Sequence, residues 1–128
     1  MGKVGLQTQG APGAVGPYSQ GTRAGNLVFS SGQLPMPAGG QLETEDIAKA
    51  ARYCLENVKA VLEAGGASMA DVVKVTVFLR DMADFGAVNA VYGEYFPEPY
   101  PARSCIAVAG LPLNARIEIE AIAAIGTN

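Results

Sequence analysis

Residues 101–125 read PARSCIAVAGLPLNARIEIEAIAAI, and this stretch contains two runs with the alternation of apolar and polar side chains that is typical of β-strands. The runs cover residues 103–108 and 116–125. Between them, Gly110, Pro112 and Asn114 are residue types expected of a connecting loop. The stretch therefore predicts two strands of one sheet.

Side chains alternate between the two faces of a strand, so Arg103 and Cys105 share one side of their strand, and Glu118 and Glu120 share one side of theirs. An arginine that begins one strand and a carboxylate in the middle of the next could hold an anionic substrate beside a group that handles water. On neighbouring strands, however, such a pair is more often a cross-strand ion pair or part of a solvated face. Both interpretations stay open on the strands alone.

The composition predicts one globular domain over residues 1–128. Apolar residues make up 49% of the 128 residues and charged residues 16%, a balance that can bury a sizeable core. Nine Lys and Arg against twelve Asp and Glu give a net charge of −3, and the sequence contains no basic block. Binding to nucleic acid through its phosphates is therefore not expected.

The residue types also limit the chemistry. The sequence contains no histidine, which excludes Ser–His and Cys–His catalysis and every histidine-bearing metal site. It has no glycine-rich loop that ends in Lys and Ser or Thr, so a nucleotide phosphate site is not indicated. We expect no metal and no cofactor, and the chemistry is left to Arg, Glu, Tyr, Ser, Asn and Cys side chains and to backbone groups.

Two further features concern the compartment. The sequence has no apolar run long enough to span a bilayer, and its first residues lack the basic and apolar regions of a secretory signal. These features predict a cytoplasmic protein that does not insert into membranes. Cys54 and Cys105 lie far apart in the chain, and both are expected as free thiols in that compartment.

The chain is predicted to begin with an arm and a β-hairpin. Residues 1–14 are rich in Gly, Ala and Gln without periodicity, which predicts a flexible or loosely docked arm. Residues 18–23 and 27–31 have the pattern of two strands, and residues 24–26 form a tight turn between them.

Two residues of this hairpin region are candidate ligand contacts. Gly32 follows the second strand and leaves room for a ligand beside the backbone, although an ordinary bulge or strand end is the commoner explanation of such a glycine. The Tyr18 hydroxyl either faces a ligand or lies on the surface.

Two amphipathic helices are predicted. Thr44 is a suitable N-cap for the first helix, whose apolar residues recur at helical spacing until the glycines at 65–66 end it. Cys54 falls within that apolar stripe and is predicted to be a core thiol. Asp84 is the predicted cap of the second helix. The inner stripe of the second helix consists of Phe85, Val88, Tyr92 and Phe96, with Asn89 at its edge.

A strand over residues 72–79 lies between the helices, so the order is strand, strand, helix, strand, helix, strand, strand. This order predicts an α+β fold in which crossovers place both helices on one side of a single sheet. The middle strand has a fully apolar face, formed by Val73, Val75, Val77 and Leu79, and a half-apolar opposite face. The side of the sheet away from the helices would leave an unusually large apolar area in water, which predicts self-association.

Blocks along nearly the whole chain resemble the RidA family, also called the YjgF/YER057c/UK114 family. Besides the stretch at 101–125, they are GPYSQG at 16–21, SGQLP at 31–35, LENVKAVL at 55–62, VKVTVFL at 73–79, DF at 84–85 and VNAVY at 88–92. The resemblance implies a chorismate-mutase-like single sheet with two helices on one face. It also implies a homotrimer around a central barrel, with a ligand cleft at each subunit interface.

The resemblance assigns roles to individual residues. It implies that Arg103 grips the substrate carboxylate and that Glu118 holds the water used in hydrolysis. It also implies that the same cleft is lined by Tyr18, Ser31, Asn89 and Cys105. The implied reaction is the deamination of enamine or imine acids, such as 2-aminoacrylate and 2-iminopropanoate, to 2-oxo acids and ammonia. An imine is already electrophilic, so this reaction requires neither a metal nor a histidine.

Three positions depart from the family pattern. Ala50 and Tyr53 stand in the first helix where glutamines are common, and Leu113 stands where a lysine is frequent, in a loop expected to lie away from the signature residues. Glu120 is expected to be structural. The alternative function is a non-catalytic small-molecule-binding or chaperone-like trimeric module that uses the same interfacial clefts.

Overall fold

The computed structural model describes residues 2–126. Within them, six strands and two α-helices follow one another in the order β1 (Val4–Leu6), β2 (Gly21–Ala24), β3 (Leu27–Ser30), α1 (Ile47–Ala64), β4 (Val72–Leu79), α2 (Phe85–Tyr92), β5 (Ala102–Ala107) and β6 (Ile117–Ala124). Short 3-10 turns cover Met69–Asp71, Met82–Asp84 and Pro112–Asn114.

The strands form one mixed sheet in the order β1-β2-β3-β6-β4-β5. Strands β4 and β5 are parallel, since α2 carries the chain back between them, and every other neighbouring pair is antiparallel. Both helices pack on the same face of the sheet, because residues of α1 and α2 share one core with alternate residues of β4 and β6. The predicted single sheet with two helices is confirmed.

The first residues are more ordered than the sequence predicted. In place of a flexible or loosely docked arm over residues 1–14, Val4–Leu6 pairs with β2 at the edge of the sheet. The cause is Gln20, which is 4% exposed. Its side-chain amide accepts a hydrogen bond from the backbone of Thr8 and donates to the carbonyls of Thr8, Ala11 and Pro12. One buried glutamine thus fixes a segment that has no periodicity of its own.

Helix α1 begins two residues later than predicted. The Asp46 side chain, not Thr44, accepts the capping hydrogen bond from the backbone N–H of Lys49, at 3.1 Å. The Glu43 carboxylate accepts hydrogen bonds from the backbone N–H groups of Glu45 and Asp46, so it holds the preceding turn outside the helix. The end of the helix is as predicted: Ala64 is its last residue, and Gly66 takes a φ of +89°, which favours glycine.

Helix α2 is shorter than its apolar pattern suggested, because it ends at Tyr92 although Phe96 still packs in the core. Asp84 occupies the position before the helix but makes no capping hydrogen bond. Its carboxylate instead pairs with Arg116 at 2.8 Å, which ties the start of α2 to the strand β6. Asp84 thus occupies the predicted N-cap position, but its side chain is an ion-pair partner of Arg116 and does not cap the helix.

The predicted face of β4 is wrong at one residue. Val75, Val77 and Leu79 are buried as expected, but Val73 is 45% exposed and Val72 is buried in its place. A bulge shifts the β4–β6 register between Val72 and Lys74, and an extra residue in a strand reverses the alternation of faces.

The face of the sheet opposite the helices carries apolar side chains that nothing within the described chain covers fully. Phe78 lies beside Ile106, and Phe29 lies beside Ile122, and these four side chains are half-buried or exposed. We call this surface the open face. Among residues 2–126, no helix is long and apolar enough to cross a membrane.

Candidate active site

A cleft of about 720 Å³ opens around Glu118, and we call it the Glu118 cleft. Strand β6 supplies Glu118 and Glu120, and the segment after β3 supplies Ser31 and Gly32. Pro12 and Gly13, from the segment that Gln20 holds, form one rim of the cleft. The full lining is Pro12, Gly13, Val15, Tyr18, Gln20, Ser31, Gly32, Gln33, Leu34, Met36, Pro112, Leu113, Glu118 and Glu120. Three of the predicted substrate-contacting residues, Tyr18, Ser31 and Gly32, therefore lie together with Glu118.

The Glu118 carboxylate is half-buried and has no cationic partner within residues 2–126, where the ion pairs are Lys49–Glu43, Arg52–Glu94 and Arg116–Asp84. Burial raises the pKa of Glu118, and the nearby charge of Glu120 raises it further. A carboxylate in this environment holds a proton more readily than an exposed one, which suits a group that exchanges protons with water.

The hydroxyl groups at the rim are partly engaged. The Ser31 hydroxyl donates to the carbonyl of Ser19 at 2.6 Å, so its oxygen offers lone pairs to a ligand while its proton is used. The Tyr18 side chain is 53% exposed, and its oxygen accepts a hydrogen bond from the backbone N–H of Val15 at 3.4 Å. Tyr18 therefore holds the rim of the cleft and leaves its hydroxyl proton available.

Sequence reasoning missed the apolar wall of the Glu118 cleft, to which Leu34, Met36 and Leu113 contribute. The expectation that Leu113 lies in a loop away from the signature residues is wrong. Its loop folds back with a φ of +57° at Leu113 and brings the side chain to the cleft that holds Glu118. For Leu34, the sequence did contain a signal. Side chains alternate along SGQLP at 31–35, so Leu34 lies on the same side of the chain as the candidate residue Gly32.

A second cleft, of about 420 Å³, surrounds Arg103, and we call it the Arg103 cleft. It is lined by Asn89, Tyr92, Gly93, Tyr100, Pro101 and Arg103. The Asn89 side-chain oxygen accepts a hydrogen bond from Nη1 of Arg103 at 2.6 Å. The guanidinium carbon lies 4.7 Å from the ring centre of Tyr92 and 5.4 Å from that of Phe85. Two of the predicted site residues, Arg103 and Asn89, are therefore in direct contact.

The structure keeps the two clefts apart. Strand β4 lies between β5 and β6, so the strands that carry Arg103 and Glu118 are not neighbours. In the registers of these strands, Arg103 lies level with Val75 and Ala121, which face the helices, whereas Glu118 lies level with Phe78 on the open face. A cross-strand Arg103–Glu118 pair within one chain is therefore excluded, because the side chains point to opposite faces.

The two cysteines have different environments. Cys54 is fully buried as predicted, and burial raises its pKa well above the ordinary value of a thiol. Cys105 is partly exposed and lies two residues from Arg103 on the same side of β5. Burial raises the pKa of Cys105 while the charge of Arg103 lowers it, with burial the larger effect. Neither thiol is activated as a nucleophile. Within residues 2–126, no cluster of three or more acidic or cysteine side chains could hold a metal ion.

Comparisons with known proteins point to one family, although the names in it give different activities. The family model described as Endoribonuclease L-PSP matches residues 8–125. The 2-iminobutanoate/2-iminopropanoate deaminase of Salmonella typhimurium is 49% identical over 121 residues, which cover 92% of this chain and 94% of that protein.

Two solved structures are similar over the same range. The structure of E. coli TdcF with bound serine has a TM-score of 0.89 and 45% identity, and the match covers 94% of this chain and 98% of that one. The E. coli YjgF gene product has a TM-score of 0.89 and 44% identity, and the match covers 95% and 98% of the two chains. With a family model matching almost its whole length and a relative at 49% identity, the chain belongs to the Endoribonuclease L-PSP family, which is the RidA/YjgF family that its motifs resemble.

Proposed function

We propose that this protein hydrolyses reactive enamine and imine acids, such as 2-aminoacrylate and 2-iminopropanoate, to 2-oxo acids and ammonia. The observation that carries the proposal is the Glu118 carboxylate, half-buried in a cleft and without a cation beside it in the described chain. The deaminase of Salmonella typhimurium, 49% identical over 121 residues, supports the same reaction. The serine bound by E. coli TdcF is also a small acid with nitrogen on the carbon beside its carboxylate.

Glu118 is the proposed proton-transfer group. The enamine gains a proton at carbon and loses one from nitrogen, which gives the imine. Water then adds to the imine carbon while Glu118 takes one of its protons and passes it to the nitrogen, so that a carbinolamine forms. Glu118 next takes the remaining hydroxyl proton and delivers it to the nitrogen. The carbon–nitrogen bond breaks as the carbon–oxygen double bond forms, and ammonia leaves with the 2-oxo acid as the other product. Holding the water against the imine turns a bimolecular step into one within the complex, and positioned proton transfer accelerates it further.

Arg103 is the proposed anchor for the substrate carboxylate. Among residues 2–126, Asn89 is the hydrogen-bond partner of its guanidinium and uses only Nη1, so Nε and Nη2 stay open as a parallel pair of donors. Two parallel N–H groups match the two oxygens of a carboxylate and fix its orientation as well as its charge.

The separation of Arg103 and Glu118 leads us to place the complete site between subunits of a homotrimer arranged around a central barrel. The exposed apolar side chains of the open face support burial against another copy. Strand β5, which carries Arg103, is also an edge of the sheet and can reach a neighbour. Sedimentation at micromolar concentration should give three times the 13.2 kDa chain mass. A folded monomer would contradict both the assembly and the shared site.

RNA cleavage, which the description of the family model suggests, is less consistent with this chain. A net charge of −3 does not favour phosphate binding, and the sequence has no histidine for acid–base catalysis on a ribose.

The test is ammonia release from freshly generated 2-aminoacrylate, with and without the protein. The wild-type protein should accelerate release, and Arg103→Ala should lose useful affinity and with it most of the acceleration. Arg52→Ala is the matched control, since it removes an exposed arginine that pairs with Glu94 at 2.9 Å away from both clefts. If the wild-type protein binds a 2-oxo acid but never accelerates ammonia release, the protein is a binding module and the proposal is wrong.

A further inference from the structure

Three side chains of one helix contact the Arg103 guanidinium. Phe85, Asn89 and Tyr92 follow one another at spacings of four and three residues, so they form one stripe along α2. Asn89 accepts from Nη1 at 2.6 Å, and the two rings lie 5.4 and 4.7 Å from the guanidinium carbon. We call this group the α2 clamp. It constrains the direction of a side chain that otherwise has several free rotations.

The ring of Tyr92, and not its hydroxyl, makes the contact with Arg103. Tyr92 is 6% exposed, and its hydroxyl has no hydrogen-bond partner within residues 2–126. Burial raises the pKa of this hydroxyl, which therefore stays protonated. The ring is well packed, because the Phe96 ring centre lies 4.6 Å away and the guanidinium of Arg103 approaches it as well. A fixed ring of this kind attracts a guanidinium through its electron-rich face.

We infer that Phe85 and Tyr92 are positioning residues for the reaction proposed above, and the inference rests on that proposal. Their rings hold the guanidinium of Arg103 while Asn89 occupies Nη1, which leaves Nε and Nη2 as the pair of donors for a carboxylate in the Arg103 cleft. The α2 clamp thus selects planar carboxylates over neutral groups of the same size. It acts through Arg103 and touches no reacting atom.

The test compares Phe85→Leu and Tyr92→Leu with the wild-type protein. The stable ligand is pyruvate, and pyruvamide is its neutral counterpart. Both variants should raise the Kd for pyruvate and the KM for 2-iminopropanoate by about tenfold, because the carboxylate loses an oriented partner, while kcat falls less. The weak binding of pyruvamide should not change. The preference for the acid over the amide should therefore shrink, which a loss of stability alone does not produce.

Two further variants sharpen the result. Tyr92→Phe keeps the ring, so it should restore the Kd for pyruvate that Tyr92→Leu loses. Tyr53→Leu is the matched control, because Lys49 lies 6.0 Å from the Tyr53 ring centre in a similar contact elsewhere on the surface. It should leave pyruvate binding at the wild-type level. Thermal unfolding and assembly mass are measured for each variant.

The outcomes separate this inference from the proposed function. Folded Phe85→Leu and Tyr92→Leu with the wild-type Kd for pyruvate would refute the positioning role. So would a Tyr92→Phe Kd as high as that of Tyr92→Leu. If Tyr92→Leu does not fold, Phe85→Leu decides alone, since Phe85 is only half-buried. Unchanged pyruvate binding in Arg103→Ala would instead contradict the proposed function.

Discussion

The Glu118 carboxylate lies directly against the Cα atom of Gly32. A Cβ added to Gly32 would lie 2.7 Å from Cδ of Glu118 and would overlap its Oε2. This contact explains Gly32 without a special backbone angle, because the position requires space and not a left-handed conformation. The Glu118 carboxylate therefore packs against the backbone of the segment that follows β3.

Gly32→Ala is expected to displace the Glu118 carboxylate while the protein still folds. We expect kcat for 2-iminopropanoate to fall by about tenfold or more. Even a small displacement of the Glu118 carboxylate would move it out of position for proton transfer with the water. The Kd for pyruvate should change much less, because the proposed contact with its carboxylate is Arg103, in the other cleft. Gly86→Ala is the control, as no atom lies within 4 Å of the added Cβ. A fully active Gly32→Ala would show that the position of the carboxylate is unimportant.

Replacing Glu118 with Gln should separate chemistry from binding. Glutamine keeps the size of the side chain but cannot accept a proton from water, so turnover should fall by about 10²-fold or more. Binding of pyruvate, measured by calorimetry, should survive. Glu120→Gln alters the next residue on the same face of β6 and should cost far less turnover. Loss of pyruvate binding in Glu118→Gln, with normal turnover of bound substrate, would assign Glu118 to binding.

The pH dependence should report the proton of Glu118. The carboxylate must be ionised to take a proton from water, so activity should decline as the pH falls through its pKa. Burial places that pKa above the ordinary value of a glutamate, and the charge of Glu120 raises it further. Glu120→Gln removes the second contribution and should move the acidic limb of the kcat profile to lower pH. A limb that stays in place would mean that another group controls the rate.

The fold was predictable because its patterns are local. The apolar stripe of α1, the glycines at 65–66 and the alternation in β6 each lie within one element. The sequence predictions fail where the local structure depends on side chains that are far away in the sequence. Gln20 fixes the arm through hydrogen bonds across 8 to 12 residues, and Arg116 takes the Asp84 carboxylate away from its helix across 32 residues. A bulge such as that beside Val73 depends on the register of a partner strand.

The sequence names candidate site residues but does not give their arrangement. Short motifs made Arg103, Asn89, Gly32 and Glu118 candidates, and the structure places them in two clefts. Their sequence positions suggested neighbouring strands, whereas the parallel pairing of β5 with β4 sends Arg103 to the outer edge of the sheet. Strand order depends on packing of the whole chain, so a local pattern could not reveal that the two groups face opposite sides.

Cys105 lines neither cleft but packs against the core near Arg103, and we expect it not to attack the substrate. Burial raises its pKa, so the thiol is mostly protonated at neutral pH and is a poor nucleophile. Cys105→Ala should therefore lower kcat/KM by less than about tenfold, far less than Glu118→Gln. Complete loss of turnover in a folded Cys105→Ala protein that still binds pyruvate would overturn this expectation.

A mixing experiment tests whether Arg103 and Glu118 of different subunits form one site. Arg103→Ala and Glu118→Gln should each be almost inactive alone. In a mixed trimer, one interface combines the intact Arg103 of one subunit with the intact Glu118 of its neighbour. Random assembly of equal amounts makes about three quarters of the trimers mixed, with one repaired site in three, so about a quarter of the wild-type activity should return. Mixing the folded variants without subunit exchange is the control and should restore nothing. If co-refolded variants that form mixed trimers also stay inactive, Arg103 and Glu118 do not share a site across the interface, because no other pairing brings two intact groups together.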